Sequence, residues 1–148
     1  MSITDTLKMI GREAVAVFAI EALKLSDLVT SDNEIVNAGK MGLIWSVASD
    51  FAEFLDTQQS HAMNGDYLYY VDETFFNSAL YLALEKSGVG IRLGSQLNQY
   101  LPFSPMINNS VITGCLKVSG KVLAEMLNRS YPQTNLLTHV SLLWNNRS

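Results

Sequence analysis

One cysteine, three prolines and few charges are what this 148-residue chain does with little of. Cys115 stands alone, so no intrachain disulfide can form, and a reducing compartment is the simpler expectation. Only 16% of the residues are charged against 48% apolar, where about 25% charged is usual for a soluble domain. A surface so poor in charge needs a cover, whether a partner, a lattice or lipid. The 10 basic and 14 acidic residues leave a net charge of -4. There is no surplus of cations to neutralise a phosphate backbone, and nucleic acid is not an expected partner. No stretch reaches the roughly 18 uncharged apolar residues that mark a membrane-crossing helix. Met1 to Ile10 lacks the basic start, apolar run and small-residue cleavage site of a signal peptide, so no cleaved targeting segment is expected. A chain of this size covers roughly 70% of its surface on folding and needs neither disulfide nor metal to hold it.

What is present is helical periodicity, in four segments. In the first, Leu7, Gly11, Ala14, Phe18, Ala22, Leu25 and Val29 follow alternating steps of four and three and form one stripe, with Glu13, Lys24 and Asp27 opposite. Thr4 or Thr6 can cap its start, and Thr30 to Asn33 stops it. Ser31 and Glu34 have the spacing of a capping box for the second helix, about Glu34 to Leu55. There Ala38, Gly42 and Ser46 recur every four residues with Gly39 and Ser49 beside them, a face that lets another helix backbone approach closely. The third helix is expected from about Thr74, after the acidic pair Asp72 and Glu73, to Lys86 and Gly88. The fourth, about Ile107 to Asn128, carries an apolar seam of Val111, Cys115, Val118, Val122 and Met126, with Lys117, Lys121 and Glu125 on a separate polar face.

The connections predict the rest. Asn64 and Gly65 followed by Asp66 to Val71 read as a turn entering a short β-hairpin strand or an aromatic arm built on Tyr67, Tyr69 and Tyr70. Gly90, Gly94, Pro102 and Pro105 break any long helix between the third and fourth segments. The expected architecture is all-α, roughly a four-helix bundle over residues 1–130, followed by an apolar docking tail at 131–148 that carries Leu136, Leu137, Leu143 and Trp144.

No chemistry is expected. His61 and His139 have no second ligand at a metal spacing, and Cys115 sits on an apolar seam, where a thiol packs as a small inert group. Gly88 to Gly94 has the glycines of a phosphate loop but follows a helix and lacks the lysine and hydroxyl pair, so it reads as a helix cap and connector. Glu13, Glu21, Asp27, Asp50 and Glu53 read as compensated charges on polar faces. Catalytic, cofactor and metal residues are all expected to be none. The residues expected to matter are the packing face Ala38, Gly39, Gly42, Ser46 and Ser49, the arm Tyr67, Tyr69 and Tyr70, and the tail.

Embedding in a bilayer meets an obstacle in the first helix. Glu21 and Lys24 would sit toward the membrane middle, at about 2.5 to 3.5 kcal/mol for an isolated charge unless the two pair. Four helices, small-residue faces such as Ala38, Gly42 and Ser46, marginal hydropathy and an asparagine- and aromatic-rich remainder look like the small minor capsid proteins of large icosahedral double-stranded DNA viruses. That resemblance implies a non-enzymatic structural subunit of the virion, membrane-associated, linking the major capsid shell to an inner membrane through other protein subunits. It carries no motif, so it transfers no functional residue. The alternative expectation is a cytoplasmic, self-associating helical adaptor or regulator.

Overall fold

The computed structural model describes residues 2–100 and 103–130, and every regular element among them is helical. The elements are α1 (Ile3–Ala22), a single 3-10 turn (Leu25–Leu28), α2 (Glu34–Thr57), α3 (Tyr67–Ser87), α4 (Val89–Leu97) and α5 (Pro105–Ser130). The apolar tail lies outside the described residues. Side-chain pairs fix the directions of the long helices. Arg12 on α1 meets Asp56 at the end of α2 at 2.5 Å, Glu34 at the start of α2 meets Lys86 at the end of α3 at 2.8 Å, and Glu21 near the end of α1 accepts from Asn109 early in α5 at 2.7 Å. The last two pairs join a beginning to an end, and Arg12, midway along α1, reaches the end of α2; α2 with α3, and α1 with α5, therefore pack antiparallel.

Local chemistry explains most of the boundaries. Ser2, rather than Thr4 or Thr6, caps α1 by accepting from the Asp5 amide at 3.1 Å. Asn33 caps α2 by accepting from the amides of Ile35 and Val36, while Glu34 turns away to Lys86, so the expected capping box does not form. Gly88, at φ +67°, closes α3 where the sequence predicts it, donating to Leu84 O at 3.0 Å. Pro105 opens α5 at the position where its missing N–H costs nothing.

Three expectations fail. The strand or arm at Asp66 to Val71 is the first turn of α3. Asp66 accepts from the Tyr69 amide as an N-cap, and Gly65 at φ +71° supplies the turn before it, so capping overrides the β preference of the tyrosines. The segment holding Gly90 and Gly94 forms the short helix α4 where a connector is expected, although no long helix spans it. Gly94 is buried against α5, where a Cβ would make an ordinary contact at 3.7 Å from Asn109 Oδ1. Helix α1 stops at Ala22, with Lys24 at φ +53°, instead of running to Val29.

The helix faces differ as well. Leu7, Gly11, Phe18 and Ala22 of the expected stripe are exposed, and α1 instead buries Glu13, Ala16, Val17 and Ile20. Ala16, Val17 and Ile20 pack with Met41, Trp45, Ala48 and Ala52 of α2 as the apolar core. Glycines set the closest approaches elsewhere. A Cβ on Gly42 would collide with Ser78 Oγ and lie 2.6 Å from Thr74 O, and one on Gly114 would lie 3.0 Å from the Ala14 amide nitrogen. Helices α2 and α3, and α1 and α5, therefore touch backbone to backbone.

Candidate interaction site

Along α2 and α3 runs an open groove of about 750 Å³. Ala38, Gly39 and Leu43 line it from α2, and Tyr67, Tyr70, Phe75 and Leu82 from α3. The small residues Ala38, Gly39, Ser78 and Ala79 leave room, while large apolar groups remain uncovered beside them: Ile35 is 75% exposed and Tyr67 72%. The exposed apolar band continues along α2 through Leu43, Val47, Phe51 and Leu55, at steps of four. A second exposed set, Leu7, Val15 and Phe18, runs along α1.

The interior is polar where the exterior is apolar. The Lys117 side chain is completely buried, with Nζ 2.8 Å from Glu13 Oε2 and 3.1 Å from Glu73 Oε2. The same ammonium donates to Ser49 Oγ at 3.1 Å and lies 5.0 Å from the centre of the Trp45 ring. Glu13 Oε2 also accepts from Trp45 Nε1 at 3.2 Å and Ser49 Oγ at 2.9 Å, and Glu73 Oε1 pairs with Lys121. Burial alone would raise the Glu73 carboxyl, but the ammonium groups of Lys117 and Lys121 outweigh it and hold it below its usual range. Beside this network Ser46, also buried, donates to Gly42 O and accepts from Asn77 Nδ2 at 3.1 Å.

A second polar cluster clamps the connection between α2 and α3. The two oxygens of buried Asp50 accept from Ser60 Oγ, the His61 and Ala62 amides, and Tyr70 OH at 2.6 Å. Burial opposes ionisation of Asp50, yet these four donors hold its carboxyl below the usual range, while burial, and after it the bond to the Asp50 carboxylate and its charge, raise the Tyr70 phenol. His61 presents Nδ1 to Asp66 and Nε2 to Glu53, each at 2.9 Å, and stacks on Tyr69 at 3.7 Å between ring centres. Partial burial disfavours the imidazolium, but hydrogen bonds to Asp66 and Glu53 and the charges of Glu53 and Asp50 outweigh it and raise the His61 pKa. Ligand atoms of Asp50, Glu53 and His61 lie within 4.8 Å of one another, a spacing that could suit a metal ion. The donors are already spoken for, however. Asp50 accepts four hydrogen bonds, and both ring nitrogens of His61 already meet carboxylates that favour its protonated form. The chemistry of the set fits a structural clamp better than a metal site.

The residues singled out in the sequence therefore part company. Ala38, Gly39, Tyr67 and Tyr70 meet in the groove, Gly42 makes the close crossing, and Ser46 and Ser49 serve the buried network. Tyr69 stacks on His61 instead of reaching a neighbour, and Leu136, Leu137, Leu143 and Trp144 lie outside the described residues. Cys115 is half-buried on α5, and His139 also lies outside. Sequence reasoning missed Glu13, Glu73 and Lys117, two of which it had assigned to polar faces. A signal existed: Glu73 and Asn77, like Lys117 and Lys121, stand four apart in a chain poor in charge. No family model, curated protein or solved structure matches the chain.

Proposed function

We propose that the protein is a structural interaction subunit that assembles with copies of itself, each α2/α3 groove receiving an apolar helix face of a neighbour. The observation that carries this reading is the placement of polar and apolar groups: beside the apolar core Lys117, Asn77 and Asn108 are fully buried, while Ile35, Leu43, Phe51 and Tyr67 stay widely exposed. Single exposed apolar residues need no explanation, but a continuous groove and band of them is a surface to be covered. A groove with small residues between large apolar ones suits a helix whose side chains recur at three and four residues, and α1 exposes Leu7, Val15 and Phe18 along its length. Tyr67 and Tyr70, at one end of the groove, are of the type that commonly anchors such contacts.

A minor capsid protein between shell and inner membrane, the role implied by the resemblance, is one form of such a subunit. No described helix is long and apolar enough to cross a membrane. Lipid contact in that role would come from the exposed apolar faces. A self-associating adaptor is the other form, and it needs no lipid.

The test is the mass in solution of the full chain by light scattering, without detergent, beside the double variant Leu43→Glu and Phe75→Glu. Both side chains are about half exposed and neither belongs to the buried core, so the helices should persist by circular dichroism. A discrete oligomer that the variant reduces to monomers is expected. A wild-type monomer would overturn self-association, and flotation of that monomer with phospholipid vesicles would transfer the groove to lipid.

A further inference from the structure

A separate cavity of about 320 Å³ opens among the ends of the four long helices, near the end of α1 and the start of α5. Its apolar walls include Val17, Met41, Trp45 and Leu84, and Tyr81 stands beside them. Two carboxylates, Glu21 and Glu85, also line it, and among the described residues no lysine or arginine does. That combination is specific. The buried network deeper in the bundle balances every carboxylate with an ammonium, whereas here the Glu21 carboxylate meets, among the described residues, the neutral amide of Asn109 at 2.7 Å. Burial raises the Glu21 carboxyl, and the Asn109 hydrogen bond offsets this only in part. The volume lies at the lower end of the range for sites that bind small molecules, and the lining follows their usual plan of apolar walls with a few placed polar groups.

The geometry points to a binding site for a small organic cation, an ammonium group on an apolar body, with the ammonium on Glu21 and Glu85 and the body against Trp45 and Tyr81. An ammonium has three donors and no acceptor, which matches Glu21, a carboxylate with no ion pair among the described residues, while Glu85, hydrogen-bonded to Tyr81 and within the field of Lys86, adds a second negative group to the lining. Aromatic rings add attraction for the cation and surface for the apolar body. Lys117, which lies over the Trp45 ring, contributes no net repulsion because Glu13 and Glu73 neutralise it. An anion is excluded by the two carboxylates, and a small hydrated metal ion would leave the apolar walls unused. The site lies apart from the α2/α3 groove and does not depend on self-association.

Phenethylammonium, neutral 2-phenylethanol and anionic 3-phenylpropionate are suitable probes, having similar size and different charge. Trp45 reports directly once Trp144, the second of the 2 tryptophans, is changed to phenylalanine in the full chain. Saturable quenching of Trp45 by the amine is expected, with the alcohol about tenfold weaker or worse and no saturation by the acid. Glu21→Gln, which keeps the shape and the Asn109 contact, should weaken the amine by about tenfold and leave the alcohol unchanged. Equal affinity for amine and alcohol, or no saturable binding at all, would overturn the proposal. The probe series on the unaltered site decides this even if Glu21→Gln fails to fold.

Discussion

Two clusters in this protein use the same groups, carboxylates around one cation, and differ in how dry they are. Lys117 between Glu13 and Glu73 is sealed from water at the centre of the helices, while His61 between Glu53 and Asp66 stands half-exposed at the turn joining α2 to α3. In the dry cluster each charge has lost its hydration and depends on its partners, so removing one strands the others. In the wet cluster solvent compensates, and the geometry of the turn is held mainly by the hydrogen bonds that Asp50 accepts. Equal chemistry thus yields an all-or-none element in one place and an adjustable one in the other.

The largest effect should follow removal of the sealed cation. Lys117→Ala is expected to destabilise the fold by about 3–5 kcal/mol in denaturant titration, because two buried carboxylates lose their shared ammonium. The triple variant Glu13→Gln, Glu73→Gln and Lys117→Met should recover most of that loss. If Lys117→Ala proved as mild as a surface change, the contrast between the clusters would collapse.

Asp50→Ala comes next, at about 1–3 kcal/mol, since its donors are only partly buried and water can replace some of the lost bonds. Proteolysis should then cut first between α2 and α3. A global loss without preferential cleavage there would show that Asp50 supports the helices rather than the turn.

The smallest effect is a dependence on pH. Because the folded His61 pKa is raised above 6.5, its contribution is complete below that value and is lost as pH rises through the folded pKa. Half-exposed pairs of this kind are worth about 0.2–1 kcal/mol. Thermal stability should decline modestly from mildly acidic to mildly alkaline pH, and His61→Gln should flatten that slope. Stability that instead rose over this window in the wild type, and not in His61→Gln, would mean that burial outweighs the two carboxylates.

Much of the helical skeleton was legible. The start of α2 at Glu34, the close of α3 at Gly88 and the opening of α5 close to Ile107 follow from residues whose local chemistry stops or starts a helix. The small-residue face of α2 was legible as well, because only glycine at position 42 admits the backbone of α3. The first turn of α3 was hidden, since tyrosines suit strands and a single aspartate cap tips the balance. Helix α4 was hidden by its glycines, one of which is a contact with α5 and not a break.

The candidate groove was half visible. Ala38 and Gly39 stood out by spacing and Tyr67 and Tyr70 as aromatics, but nothing in the chain shows that they line one surface. The cavity at Glu21 was invisible, because its walls come from all four long helices and the turn after α1.

The sequence by itself determined the helical class, most helix ends and the scarcity of charge, all of which rest on interactions within a few residues. Only the tertiary structure decided which face of α1 and α5 turns inward. Both faces of α1 carry apolar groups, so periodicity does not choose between them. The choice falls to partners far apart in the chain: Glu13 and Lys117 can be buried only because Trp45, Ser49 and Glu73 arrive to satisfy them.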